Sequence, residues 1–176
     1  MSVLLMLCGV QGSGKSTFAK ALAEQLDLVM VATDAIRQEL TGEYGGFVAS
    51  QTRQVLRLAK ERVRSGLAVP ERVVVYDATN ATVPARRPFV LLAREQGAAV
   101  AAGYFETPLA VALARVRRRR GQARVPLHAV RQTYERFVVP SAAEGFDWVF
   151  DASGIDVETC ARTLQGLAAG RAAPQD

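Results

Sequence analysis

Short apolar runs alternate along this chain with longer stretches in which apolar residues recur at helical spacing. The runs predict five buried strands, at 3–8, 28–32, 72–76, 98–105 and 146–150. The helical spacing predicts helices over 35–40, 47–65, 84–96 and 155–167, and others that begin near Lys15, Leu109 and Val125. Gly66 is expected to close the helix over 47–65, and the helix from Val125 to run to about Val138. Strands that alternate with helices predict an α/β fold with a parallel sheet.

The turn between the first strand and the first helix carries a phosphate-binding motif. Residues 9–17 read GVQGSGKST, which fits the P-loop pattern G-x-x-x-x-G-K-[ST] at every fixed position. We call these residues the P-loop. Glycines at such a turn let successive backbone N–H groups point at phosphate oxygens, and the following helix adds the positive end of its dipole. The predicted phosphate-binding residues are Gly9, Gly12, Ser13, Gly14, Lys15, Ser16 and Thr17. Lys15 is expected to reach the β- and γ-phosphates of a nucleotide, and the Ser16 hydroxyl to ligate Mg²⁺.

Two alternatives for this turn are weaker. It could be a glycine-rich connection that binds nothing, but the apolar strand before it and the helical spacing after it argue against that. A dinucleotide fingerprint is also excluded, since Gly12 and Gly14 are followed by Lys15, Ser16 and Thr17 and no G-x-G-x-x-G is present.

Two carboxylates follow predicted strands. Asp34 comes after the second strand and Asp77 after the third. Ligands of open parallel sheets bind at the carboxyl ends of strands, so Asp34 should face the phosphate site; its alternative role is an ordinary helix N-cap. Asp77 is predicted as a second Mg²⁺ ligand, although an aspartate at the end of a strand is commonplace without a P-loop nearby.

Positive charge is concentrated in one segment. Residues 110–136 contain eight arginines and one glutamate, so this segment has a charge of +7. Because the whole chain has a net charge of +5, the remainder has a charge of −2. A helix, a basic loop and a helix after the fourth strand predict a lid at about 115–126 that meets a polyanion. The alternative is a solvated arginine face, because 19 of the 22 basic residues are arginine.

Length and composition predict one domain over 1–169 and a disordered tail over 170–176. The first apolar run is too short for a membrane span and lacks a basic leader, so we expect a soluble, cytoplasmic protein. Cys8 and Cys160 have neither metal-site nor disulfide spacing, His128 is expected on a helix surface, and Trp148 in the core.

The P-loop, Thr33-Asp34-x-x-Arg37, Asp77-Ala78-Thr79-Asn80 and the arginine-rich lid occur in an order that resembles the P-loop kinase domain of polynucleotide 5′-hydroxyl kinases, small kinases of the AAA type. The resemblance covers nearly the whole chain. It implies a three-layer fold with sheet order 2-3-1-4-5, and ATP and Mg²⁺ as cofactors. It also implies that Asp34 is the general base and that Arg37 contacts a phosphate of the acceptor.

The resemblance further implies that lid arginines contact the ATP phosphates. Arg120 matches the lid position best, and Arg115, Arg117 and Arg124 are candidates for the second lid arginine. The sequence departs from the family pattern here, since an Arg-Asn pair is usual and this chain has Val116-Arg117.

The predicted activity is transfer of the γ-phosphoryl group of ATP to an alcohol, in the first place the 5′-OH end of a polynucleotide. The alternatives are a kinase of a small molecule such as a sugar, nucleoside or antibiotic, and an ATP-binding switch without enzymatic activity. A polynucleotide kinase needs a basic track beyond the ATP phosphates, for which Arg37, Arg86 and Arg87 are candidates.

Overall fold

The computed structural model describes residues 1–42, 49–118 and 125–174, with the side chains of residues 49 and 50 left out. Five parallel strands form one sheet in the order β2-β3-β1-β4-β5, as expected. They are β1 (Val3–Cys8), β2 (Leu28–Ala32), β3 (Val73–Asp77), β4 (Ala99–Tyr104) and β5 (Trp148–Asp151). Seven helices of the described residues flank this sheet, which confirms the three-layer α/β fold. They are α1 (Lys15–Ala23), α2 (Thr33–Thr41), α3 (Ala49–Leu67), α4 (Val83–Glu95), α5 (Leu109–Arg118), α6 (Leu127–Glu135) and α7 (Val157–Ala168).

Two predicted helix ends are wrong. Gly66 does not close α3, which continues to Leu67; the glycine is needed for packing instead, because a Cβ there would lie 2.8 Å from Val74 Cγ2. Helix α6 ends at Glu135 rather than near Val138, since the Val138 N–H donates 2.9 Å to Ala81 O beyond the end of the helix.

Strand β1 is fully buried and separates two hydrophobic clusters. Alternate side chains point to opposite faces of a strand, so Val3, Leu5 and Leu7 join α1 and α7 on one face. The residues between them join α3 and α4 on the other face. Cys8 and Cys160 are free and buried, and burial raises the pKa of each thiol to about 12.

A third, smaller cluster joins the helices after β4 to the loop after β1. Ala112, Leu113 and Val116 of α5 pack with Val130 of α6 around Val10. The predicted lid helices therefore rest directly on the P-loop through apolar contact.

The strands end in register at one edge of the sheet. Asp77 is the register partner of Leu7 on β1 and of Ala32 on β2. Because neighbouring strands lie about 4.8 Å apart, the loops after β1, β2 and β3 meet at this edge.

The remaining expectations concern single side chains and the chain end. His128 is exposed on α6, and Trp148 is buried against Phe150, both as predicted. Beyond α7, the Arg171 N–H donates to Gly166 O and Ala173 packs on the first cluster. Among the described residues, no helix has both the length and the apolar character needed to cross a membrane.

Candidate functional site

The loop after β1 has a backbone that only glycine adopts without strain at two positions. Gly12 has φ +84° and Gly14 has φ +110°, and α1 begins at the next residue, Lys15. A Cβ at Gly12 would also lie 2.6 Å from Ala112 O of α5. The loop is thus held between the N-terminus of α1 and the side of α5, where backbone N–H groups and the helix dipole favour an anion.

Lys15 extends across this loop although its side chain is buried. Its Nζ donates to Gly9 O at 2.7 Å, to Val10 O at 2.8 Å and to Ser13 Oγ at 3.4 Å. These bonds hold the ammonium group over the loop, where a phosphate bound by the backbone would meet it.

The two predicted Mg²⁺ ligands are brought together. Ser16 Oγ at the start of α1 donates to Asp77 Oδ2 at the end of β3, at 2.7 Å. A hydroxyl and a carboxylate are the hard oxygen ligands that Mg²⁺ takes in nucleotide sites, with phosphate oxygens and water completing its octahedron. The residues therefore fit the ion: Ser16 follows Lys15 directly, and Asp77 lies at the shared edge of the sheet.

Asp34 is the second residue of α2, and its side chain is 68% exposed. Arg37, one turn later, has a side chain only 7% exposed and donates through Nη1 to Asp34 Oδ1 at 2.8 Å. The N-cap of α2 is Ala32, so the alternative role of Asp34 as an N-cap is wrong. Instead, the buried Arg37 guanidinium holds the exposed Asp34 carboxylate in place. Asp34 lies two residues after Ala32, the register partner of Asp77.

Among the arginines of the predicted lid, Arg115 contacts the P-loop. Its Nη1 lies 3.3 Å from Gly12 O and 3.4 Å from Ser13 O. Arg117 is exposed on the same helix and, being two residues on, is turned by about 200° from Arg115. Arg120 and Arg124 lie outside the described residues, so their roles, like that of Arg117, stay predictions.

Sequence reasoning missed the buried network around Arg86. This side chain is fully buried and donates to both carboxylate oxygens of Glu144 at 2.7 Å, and to Asn80 O and Val138 O at 2.9 Å. Asn80, at φ +45°, donates in turn to Leu7 O. Arg86 therefore ties the loop after β3 to the segment after α6.

The suggestion that Arg86 belongs to a basic track is thus wrong, because no phosphate can reach it. The signal was present in the sequence: Arg86 shares the apolar stripe of α4 with Phe89, Val90 and Ala93. An arginine on such a stripe is buried and needs an acid, which Glu144 supplies.

Residues 4–140 match the family model described as AAA domain, AAA_33. The chain is 28% identical over 165 residues to L-seryl-tRNA(Sec) kinase of Methanococcus maripaludis, a match that covers 89% of this chain and 59% of that protein. It is 33% identical over 132 residues to cytidylate kinase of Aeropyrum pernix, with 74% of this chain and 72% of that one covered. The chain thus spans about three fifths of the first relative's length.

Among solved structures, a chain of the Pnkp1/Rnl/Hen1 RNA repair complex superposes with a TM-score of 0.67 at 22% identity. The match covers 77% of this chain and 43% of that chain, and at this identity it shows the fold alone. With the P-loop, the strand order and a family model that spans most of its length, the chain belongs to the AAA_33 family of P-loop kinase domains.

Proposed function

We propose that the protein is an ATP-dependent kinase that transfers the γ-phosphoryl group to an alcohol, and that this alcohol is the 5′-OH end of a polynucleotide. The Asp34–Arg37 pair is the observation on which this rests. It places an exposed carboxylate and a buried cation at the end of β2, one strand from the Ser16–Asp77 pair.

The ATP phosphates are bound by the loop from Gly9 to Thr17 and by Lys15, and Arg115 adds a cation from α5. Arg117, Arg120 and Arg124 are the further lid cations that we assign to these phosphates. Mg²⁺, held by Ser16 and Asp77, would neutralise charge on the β- and γ-phosphates. The nucleotide phosphates would thereby be bound by loop backbone, by the buried Lys15 and by side chains at the shared edge of the sheet.

Asp34 accepts the proton of the attacking hydroxyl. The hydroxyl oxygen forms a bond to the γ-phosphorus while the bond from that phosphorus to the bridging β–γ oxygen breaks, and ADP leaves. Exposure lets the Asp34 carboxylate reach an acceptor from solvent, and the Arg37 bond at 2.8 Å orients it. Positioning and charge stabilisation supply most of the rate in such transfers.

Arg37 also distinguishes between acceptors. Its guanidinium lies one helical turn from the base, where a phosphate following the 5′-nucleoside would form a charge-assisted pair. A neutral sugar offers no such group. An acceptor alcohol carried by RNA is also in keeping with the name of the L-seryl-tRNA(Sec) kinase, whereas cytidylate kinase is named for a phosphate acceptor, which needs no general base.

The test is a competition for label from [γ-³²P]ATP among acceptors at equal micromolar concentration. The panel contains a 5′-OH oligonucleotide, a nucleoside 3′-monophosphate, the plain nucleoside, cytidylate, gluconate and an aminoglycoside. We expect the oligonucleotide to take most of the label and the nucleoside 3′-monophosphate to exceed the nucleoside. Steady labelling of the plain nucleoside, cytidylate, gluconate or the aminoglycoside, with none in the oligonucleotide, would support the small-molecule kinase instead, and ATP binding without transfer to any acceptor would support the switch.

A further inference from the structure

Basic side chains form a stripe along one exposed face of α3. Arg53, Arg57, Lys60 and Arg64 are spaced by four, three and four residues, which places them on the same face of a helix. The three arginines are exposed and Lys60 is half-buried. The stripe extends over twelve residues, whose eleven rises of 1.5 Å give a length of about 16 Å.

Three arginines that lie off the stripe in this layer are paired with acids. Off the stripe, Arg62 pairs with Glu39, Arg86 with Glu144 and Arg94 with Asp147. On it, Arg57 has only a 3.9 Å contact with Glu61. Within the part of the chain that the structure describes, Arg53, Lys60 and Arg64 form no ion pair, so their charge is available to an external anion.

A groove between α3 and α4 widens this basic surface. Its volume is about 530 Å³, and it is lined by Lys60, Arg64, Val83, Pro84, Arg87, Pro88, Leu91, Leu92 and Glu95. Arg87 on α4 is exposed and adds a cation opposite the stripe. Glu95 is the one acidic residue among those that line the groove. The lining has no aromatic side chain on which a base could stack, so charge is what this surface offers a nucleic acid.

The groove connects the stripe with the end of the sheet that carries the proposed acceptor site. Helix α3 packs against α2, which carries Asp34 and Arg37, through a face other than the stripe, because Arg62, which pairs with Glu39, is turned by about 200° from Arg64. Helix α4 begins six residues after Asp77. The first residues of α4, Val83 and Pro84, line the groove together with Lys60 and Arg64, so a strand that leaves this end of the sheet over α4 meets the stripe.

We propose that Arg53, Arg57, Lys60 and Arg64, together with Arg87, bind the phosphodiester backbone of the acceptor beyond its 5′-terminal nucleotide. This rests on the proposed function and deepens it. A stacked strand has one phosphate per about 3.4 Å, so a 16 Å stripe faces about five phosphates. Each contact releases a counterion, which makes the binding sensitive to salt and indifferent to base sequence.

The experiment compares two triple variants that remove the same charge. The stripe variant is Arg53→Gln/Arg64→Gln/Arg87→Gln, and the control is Lys20→Gln/Arg162→Gln/Arg171→Gln, three exposed cations on α1, α7 and the residues after it. For each we would measure kcat and KM with a 5′-OH 20-nucleotide RNA and with a nucleoside 3′-monophosphate. Circular dichroism checks that both variants fold.

We expect the stripe variant to raise the KM for the 20-mer at least about tenfold at 0.1 M salt, and to leave kcat and the KM for the mononucleotide unchanged. The log–log salt slope of 20-mer affinity should become shallower by about 2, at roughly 0.7 per lost contact. Equal effects of the stripe and control variants would overturn the proposal, since net charge alone would then explain them.

Binding separates this proposal from the proposed function. If the wild-type protein labels no oligonucleotide, fluorescence anisotropy with a labelled 20-mer still tests the stripe. Weaker binding by the stripe variant than by the control would support the stripe while the acceptor assignment fails. Equal binding of the 20-mer by wild type and stripe variant would overturn the stripe.

Discussion

The two halves of the site are built from different materials. The nucleotide half consists of backbone in a glycine-dependent conformation, a buried lysine and a helix start, all packed against β1 and α5. The acceptor half consists of side chains on α2, with Asp34 exposed and only Arg37 buried. In the proposed function, the nucleotide phosphates are therefore bound mainly by backbone and by Lys15, whereas the acceptor is bound by side chains of α2.

This difference explains how one fold serves kinases named for different acceptors. This chain is similar in sequence to kinases named for seryl-tRNA and for cytidylate, and the part that must differ between such kinases is the surface that meets the acceptor. Substitutions in the nucleotide half should therefore change phosphoryl transfer or stability. Substitutions in the acceptor half should change which acceptor is phosphorylated.

Lys15→Ala should have the largest effect on transfer. We expect the ammonium, which the structure holds over the P-loop, to meet the charge that develops on the phosphates, and loss of one such donor reduces kcat by about 10³. The variant should stay folded, because its bonds are to loop carbonyls rather than to core side chains. Single-turnover transfer together with circular dichroism would check this, and full activity in a folded variant would rule out a P-loop kinase.

Arg86→Met should damage the support of the nucleotide half. It leaves Glu144 without the guanidinium that it binds at two points, and breaking a buried pair from one side lowers the free energy of unfolding by about 3–5 kcal/mol. Urea denaturation measures the loss. The double variant Arg86→Met/Glu144→Leu should recover much of it, and a single-variant loss below about 1 kcal/mol, as for a surface pair, would contradict the network.

Asp34→Asn should reduce phosphoryl transfer without changing the affinity for ATP. Removing a general base within reach of the acceptor reduces transfer by at least about a hundredfold. Affinity for ATP should not change, since Asp34 contacts Arg37 on α2 and not the P-loop. Isothermal titration with ATP and rapid-quench transfer supply the two numbers. A normally active Asn variant would show that the base lies elsewhere.

Arg37→Ala should have the smallest effect on the rate and the clearest effect on selectivity. A charge-assisted hydrogen bond to a phosphate contributes about 1.5–3 kcal/mol, so the advantage of a nucleoside 3′-monophosphate over the nucleoside should fall by roughly tenfold or more. Arg118→Ala, an exposed residue at the end of α5, is the matched control. An unchanged ratio would remove Arg37 from the acceptor site.

The sequence was sufficient for the nucleotide half because that half is a backbone motif. Positions 12 and 14 need glycine because their φ angles are positive. The apolar residues on either side of the loop predict a strand before it and a helix after it. The meeting of Ser16 and Asp77 also followed, since parallel strands end at a common edge.

Other features depended on packing that no local pattern encodes. Position 66 is glycine because Val74 leaves no room for a Cβ, and the apolar stripe of α4 marks Arg86 as buried without showing that its partner is Glu144, 58 residues away. Arg115 meets the P-loop through the rotational phase of α5. The sequence shows the spacing of the basic residues along the α3 stripe. Which of these residues lack an ion pair depends on the partners that the acidic residues take in the folded chain.

The most direct test of the central claim is to locate the transferred phosphate. A 5′-OH 20-nucleotide RNA labelled by the enzyme from [γ-³²P]ATP is digested to nucleoside 5′-monophosphates and, in parallel, treated with a phosphatase. We predict that all label is recovered as the 5′-monophosphate of the first nucleoside and is released by the phosphatase. Label at any other position, or an oligonucleotide that stays unlabelled while a neutral small alcohol is phosphorylated, would contradict the claim.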